Sequence, residues 1–143
     1  MKKIILKGRG LAKGVAEGEA LVSKESLVWS HGVEPPTGRI NDVRVKVCGE
    51  CVKDKILVYP IGKGSTSGAT WMLETTRCGN APKAILNRET ELIILTGAVL
   101  SEALYDTPMP VVDRLDQFPD EVIETGDWVK VDGTTGIVEI TKK

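Results

Sequence analysis

Lys55-Ile56-Leu57-Val58-Tyr59-Pro60-Ile61-Gly62-Lys63-Gly64-Ser65-Thr66-Ser67-Gly68 is the segment from which the fold is read. Its first five residues form an apolar run closed by Pro60, and a run this short with a proline at its end reads as a buried strand. After the loop, Ala69, Met72, Leu73 and Thr76 follow the i, i+3, i+4, i+7 spacing of a helix facing a core, which predicts a helix over 68–78. Ser65, Thr66 and Ser67 stand where N-cap acceptors belong, and Gly79 where a left-handed residue ends a helix. Pro82 prevents continuation, and 83–86 starts another apolar strand. Strand, loop, helix and strand make a βαβ unit, so the two strands are expected to pair in parallel.

Shorter elements surround this core. Strands are expected at 4–7 and 17–23, separated by the glycine-punctuated segment 8–14. Glu34-Pro35-Pro36-Thr37-Gly38 reads as a turn, and 43–47, where Val alternates with Arg and Lys, as a half-buried strand. Residues 91–104 read as a short strand followed by a helix from Ala98, and 110–113 as a further strand. Strands 128–131 and 137–140 flank Asp132-Gly133-Thr134-Thr135-Gly136 and form a C-terminal β-hairpin. No repeat, linker or low-complexity stretch interrupts the pattern. The expectation is one α/β domain over residues 1–143, with β elements outside a βαβ core.

Composition narrows the function. A chain of 143 residues buries roughly 68–70% of its unfolded surface and needs no disulfides to fold. With 41% hydrophobic and only 4% aromatic residues, the core must be built from Val, Ile, Leu and Ala. The formal net charge is −1 and no basic stripe is present, which argues against nucleic acid as a partner. No apolar stretch approaches the roughly 20 residues of a membrane span, and Ile4-Ile5-Leu6 is too short for a signal peptide. A cytoplasmic protein is expected. The three cysteines, Cys48, Cys51 and Cys78, are too few for a disulfide framework. Cys48-Gly49-Glu50-Cys51 lacks the further ligands of a tetrahedral zinc site, since the chain offers one other Cys and the single His31. These cysteines read as structural or incidental, His31 as a loop histidine, and no metal site is expected.

The chemistry concentrates in the 62–68 loop. A loop between a buried strand and a helix N-terminus gathers free N–H groups and the positive end of the helix dipole, and so favours an anion. Gly62, Gly64 and Gly68 permit close backbone approach to a ligand. In open α/β sheets ligands sit beyond the carboxyl ends of the strands, which is this place. The same hydroxyls also suit plain helix capping, and the residues alone leave both uses open. A P-loop is ruled out: the position five before Gly62 is Leu57, and Lys63 is followed by Gly64.

Gly8-Arg9-Gly10-Leu11-Ala12-Lys13-Gly14-Val15-Ala16-Glu17-Gly18-Glu19-Ala20-Leu21-Val22-Ser23, with the 59–68 segment, resembles the small subunit of aconitase X. Val111-Val112-Asp113 and Gly126-Asp127-Trp128-Val129-Lys130-Val131-Asp132-Gly133 fit as well, so the resemblance covers nearly the whole chain. It is strongest to the archaeal phosphomevalonate dehydratase branch of that family. The resemblance implies the swivelling β/β/α fold of the mobile domain of aconitases. It implies dehydration of mevalonate 5-phosphate, a phosphorylated hydroxy acid of the isoprenoid pathway, to an anhydro product. It implies a large catalytic subunit carrying a 4Fe-4S cluster on its own cysteines, with no cofactor bound by this chain. Ser65 matches the family's proton acceptor. Lys63, Gly64, Thr66, Ser67 and Gly68 are then substrate-binding candidates, and Arg9 a contact for a carboxylate or phosphate. A free serine is a very poor base, so its alkoxide needs the helix dipole, the loop N–H groups and Lys63 around it. With one His, no clustered carboxylates beside the loop and no cluster-binding cysteines, the chain is expected to lend one catalytic loop to a larger partner.

Three rivals stand beside this reading. A cis-3-hydroxy-L-proline dehydratase small subunit would use the same serine on an unphosphorylated substrate. A phosphohistidine carrier is similar in Gly14-Val15-Ala16-Glu17-Gly18 and Val131-Asp132-Gly133-Thr134-Thr135-Gly136, but needs a histidine where Gly68 stands. A non-catalytic binding module would leave Ser65 without a role.

Overall fold

The computed structural model describes residues 2–62 and 67–143. The strands are β1 (Lys3–Lys7), β2 (Arg9–Ala12), β3 (Val15–Val22), β4 (Val33–Glu34), β5 (Arg39–Ile40), β6 (Ile56–Val58), β7 (Ala84–Leu86), β8 (Val111–Asp113), β9 (Trp128–Asp132) and β10 (Ile137–Thr141). The helices are α1 (Gly68–Arg77), α2 (Leu92–Tyr105) and the single turn α3 (Pro119–Val122). Hydrogen-bonded neighbours run β1-β10-β9-β3-β6-β7-β8-β2, and β4 and β5 make a separate small hairpin around the expected 34–38 turn.

The long strand β3 divides this sheet into two layers. Its residues 15–19 pair antiparallel with β9, whereas 20–22 pair in parallel with β6. β6, β7 and β8 continue in parallel, and every residue of the three is buried. Burial on both faces explains their unbroken apolar runs. On one face Ile56, Val58, Ala84, Leu86 and Val112 meet Leu6, Val129, Val131, Val138 and Ile140 of the antiparallel layer. On the other, Leu57, Ile85 and Val111 meet Met72, Ile94 and Ala98 of the two long helices. Each Val, Leu, Ile and Met among them contributes roughly 1.5–3 kcal/mol by leaving water. The result is a β/β/α stack, as expected. β9 and β10 alternate exposed and buried positions because only one of their faces is covered.

The chain ends of this order meet. β1 and β2 lie at opposite ends of the strand order yet are joined by Gly8 alone, so the sheet curls back on itself. Gly8 N–H donates to the Gly136 carbonyl at 2.8 Å, and Gly133 N–H to that of Gly14 at 2.8 Å.

Several expectations are corrected. Residues 43–47 form turns, not a strand: the Asp42 carboxylate accepts from the Arg44 N–H at 3.0 Å and from its guanidinium at 2.9 and 3.1 Å. The Asp42, Val45 and Val47 carbonyls then accept from residues three further on, so local bonds replace a ladder. The short strand before Ala98 is absent, and the helix starts at Leu92. Glu91 causes this, because its Oε1 accepts from the Ile94 N–H at 3.0 Å and caps the helix. Gly97 does not break the helix but admits α1: a β-carbon there would lie 2.8 Å from Met72 Sδ. The glycine-punctuated segment 8–14 contains β2. On α1, Met72 and Thr76 face the core as expected, Ala69 and Leu73 are only half-buried, and Gly68 and Thr75 are buried instead. Gly79 takes the left-handed conformation expected of it, at φ 78°.

Candidate active site at the carboxyl ends of the parallel strands

The segment leading out of β6 is pinned on several sides. Tyr59 is fully buried, and its hydroxyl accepts from Trp29 Nε1–H at 3.3 Å; burial pushes its phenol up to about 12. The Tyr59 carbonyl accepts from Asn87 Nδ2 at 2.9 Å, and the Pro60 carbonyl from the Arg88 N–H at 2.9 Å. Gly62 forms a parallel bridge with Leu27 and lies against Glu91: a β-carbon on Gly62 would sit 3.2 Å from Glu91 Cγ and 3.4 Å from Oε1. A side chain here would push on the α2 cap, which is a reason for glycine at this position.

Of the loop residues singled out from sequence, Lys63, Gly64, Ser65 and Thr66 lie outside the described residues. Ser67 is the N-cap of α1 but makes no side-chain cap bond; its Oγ lies 2.6 Å from Ser30 Oγ. Its carbonyl accepts from the Trp71 N–H at 3.0 Å, which opens the helix. Gly68 is buried, with Ile93 and Ile94 of α2 and Trp29 around it. The positive end of α1 thus lies at Ser67 and Gly68. His31 has a left-handed backbone at φ 58°, and its ring centroid lies 4.6 Å from that of Trp71 in the first turns of α1.

The ends of β7 and β8 carry a row of forked ion pairs. Arg9 Nε and Nη2 donate to Asp113 Oδ1 and Oδ2 at 2.9 and 2.8 Å, and the Thr90 N–H donates to Asp113 Oδ2 at 2.9 Å. Arg114 forks onto Glu89 at 3.0 and 2.8 Å, and Arg9 Nη2 lies 3.7 Å from Glu89. Arg88 forks onto Asp120 at 2.8 and 2.7 Å and stacks 4.0 Å from the Phe118 ring centre. Burial would raise the Asp120 carboxyl, but the Arg88 guanidinium outweighs it and holds the group below its ordinary range. The Glu89 carboxyl is likewise lowered by Arg114. Arg9 therefore sits on the same edge as the loop, three strand spacings or roughly 14 Å from the end of β6.

One carboxylate, that of Glu91, abuts the described part of the loop at Gly62, while Glu89 and Asp113 are held in the arginine pairs of the rim. The residues missed were Asn87, Arg88, Glu89, Thr90 and Glu91. Their signal was available, since they follow the second parallel strand as the loop follows the first. Cys48 and Cys51 are exposed and Cys78 is half-buried, with Cys51 Sγ donating to the Thr37 carbonyl at 3.3 Å. Among the described residues no three His, Cys, Asp or Glu side chains are grouped to hold a metal ion, and none of the helices is long and apolar enough to cross a membrane. The described residues therefore do not fit an iron–sulfur cluster.

The profile of the aconitase X swivel domain matches residues 5–140. The chain belongs to the aconitase X swivel domain family. It is 41% identical over 140 residues to the phosphomevalonate dehydratase small subunit of Methanococcoides burtonii, covering 98% of each chain. It is also 41% identical to the protein of that name from Methanosarcina acetivorans, covering 99% of this chain and 94% of that one. Among solved structures, the holo-form of aconitase X from Thermococcus kodakaraensis superposes with a TM-score of 0.87 at 40% identity, covering 97% of this chain and 99% of that chain. In this aconitase X swivel chain, the β/β/α stack is the family's swivel domain, and the described start of the segment after β6 leaves the sheet at the carboxyl end of that strand.

Proposed function

We propose that this chain is the small subunit of a two-subunit hydro-lyase that dehydrates (R)-mevalonate 5-phosphate to trans-anhydromevalonate 5-phosphate. The observation that carries the reading is the place of the 62–68 segment, between a buried parallel strand and the N-terminus of α1, in a chain matching dehydratase small subunits along nearly its whole length. Ser65 accepts the proton from the carbon beside the substrate carboxylate as the 3-hydroxyl departs from the neighbouring carbon. Lys63, Gly64, Thr66, Ser67 and Gly68 hold the substrate and stabilise the Ser65 alkoxide until it takes the proton. The N–H groups at the start of α1 lower the cost of that charge where water is excluded. Arg9, presented on the same edge by Asp113, contacts an anionic end of the substrate.

The departing hydroxyl is handled by the other half of the site. The family implies a 4Fe-4S cluster there, and because the described residues do not fit one, its ligands are assigned to the larger subunit. Residues 1–143 act as one swivelling domain, cytoplasmic, and active only in that complex.

The test is anaerobic co-expression with the larger subunit and assay against mevalonate 5-phosphate and cis-3-hydroxy-L-proline. Turnover of the phosphate substrate alone supports the reading, and turnover of hydroxyproline alone overturns it. Ser65→Ala in an assembled complex should abolish turnover; full activity in that variant would make the chain a binding module.

A further inference from the structure

Three buried polar side chains stand directly beneath the lead-in to the loop, and the reaction proposed above uses only one of them, Asp113, and that only through Arg9. Asn87 is 1% exposed, Thr90 9% and Asp113 0%. They form a directed chain: the Asp113 carboxylate accepts the Thr90 N–H at 2.9 Å, Thr90 Oγ1 donates to Asn87 Oδ1 at 3.0 Å, and Asn87 Nδ2 donates to the Tyr59 carbonyl at 2.9 Å. Resting on that proposed reaction, we propose that Asn87, Thr90 and Asp113 are positioning residues that set the 59–62 segment, from which the catalytic loop departs.

The fold does not require this arrangement. The parallel strands are already joined by Tyr59 N–H to the Leu86 carbonyl at 3.2 Å and Arg88 N–H to the Pro60 carbonyl at 2.9 Å. Apolar side chains of similar volume generally stabilise such a place as well or better than a buried charged network. The network grips the segment at both ends. Asn87 holds Tyr59, and Thr90 is followed by Glu91, whose carboxylate stands against Gly62 while capping α2. Asp113 also receives the Arg9 fork, so one carboxylate registers both the loop lead-in and the rim arginine. A reacting group displaced by about 1 Å can lose 100-fold in rate, which gives such a register its value.

The experiment compares Thr90→Val with Thr90→Ser in the complex with the larger subunit. The valine variant keeps the volume and the backbone donor to Asp113 but removes the hydroxyl that orients Asn87. The expected result is a kcat lowered about 10-fold with KM changed less than about twofold, and serine restoring kcat to within about twofold. Exchange of the Tyr59 and Arg88 amides, which bond across the lead-in, should quicken by about 10-fold in Thr90→Val, with Ile85 and Val131 unchanged. Wild-type kcat together with wild-type exchange at Tyr59 and Arg88 in Thr90→Val overturns the proposal. Should Thr90→Val fail to fold, Asn87→Asp, which keeps the side-chain shape but sets a carboxylate oxygen against the Tyr59 carbonyl in place of the donor, must show the same kcat loss and the same local exchange. Wild-type behaviour in Asn87→Asp overturns it equally. A wild-type complex that leaves mevalonate 5-phosphate intact defeats the functional reading instead, because the exchange comparison is made without turnover.

Discussion

Gly10 on β2 and Gly133 in the β9–β10 turn approach so closely that a β-carbon on Gly10 would overlap the Gly133 carbonyl oxygen. A β-carbon on Gly133 would in turn overlap the Ala12 carbonyl oxygen. Both obstacles are backbone and cannot rotate away. This contact lies where the curled sheet closes, one residue from Arg9. Gly10→Ala and Gly133→Ala should each destabilise the chain by about 3 kcal/mol, the upper end of ordinary overpacking. Thermal unfolding should fall by roughly 10 °C. A midpoint within a degree or two of wild type in both variants would refute the close-approach account.

Glu91 caps α2 and touches Gly62 with the same side chain. Glu91→Ala removes the acceptor of the Ile94 N–H and should cost about 1 kcal/mol in urea unfolding. Glu91→Gln keeps a carbonyl oxygen of the same reach and should recover most of it. Equal losses in the two variants would show that the charge, not the cap, is what α2 uses.

Arg9 holds Asp113 through a planar fork that a lysine cannot reproduce. Arg9→Lys keeps the charge but frees it from the Asp113 geometry. If Arg9 contacts an anionic end of the substrate, KM should rise about 10-fold in the assembled complex while kcat changes less than about threefold. An unchanged KM with lowered thermal stability would make Arg9 a counter-ion to Asp113 and nothing more.

Asp127 joins the C-terminal residues to the turn before β9. Burial would raise its carboxyl, but Lys142 Nζ at 2.5 Å and the N–H groups of Glu124 and Lys143, both at 2.9 Å, outweigh that and hold it below its ordinary value. A carboxyl lowered by folding contributes stability above its unfolded pKa of about 3.9, and loses it as pH falls through the folded value. Asp120, Glu89 and Glu139 are lowered too and add the same sign. The urea midpoint should therefore drop below about pH 4, and Asp127→Asn should flatten that drop while lowering stability at neutral pH. An unaltered acid slope in Asp127→Asn would remove Asp127 from the account.

The sequence by itself determined the elements whose cause is local. The apolar runs at β6, β7 and β8, the 3.6-residue spacing of α1, Gly79 after it and the turn of the C-terminal hairpin were all legible, because each reflects burial or backbone preference within a few residues. Of the 62–68 segment the structure describes Gly62, Ser67 and Gly68, which stand between the strand and the helix that were expected there. Tertiary structure decided what depended on distant partners. Residues 43–47 alternate like a strand, but no neighbouring strand is offered to them, and Asp42 turns the chain instead. Gly97 looks like an interruption and is a contact, because the partner it admits, Met72, lies on another helix. The Arg9–Asp113 fork and the Asn87–Thr90–Asp113 chain join residues scattered along the sequence. Hydrogen-bond partners of this kind become neighbours only when parallel strands place their carboxyl ends side by side, and no local pattern encodes that register.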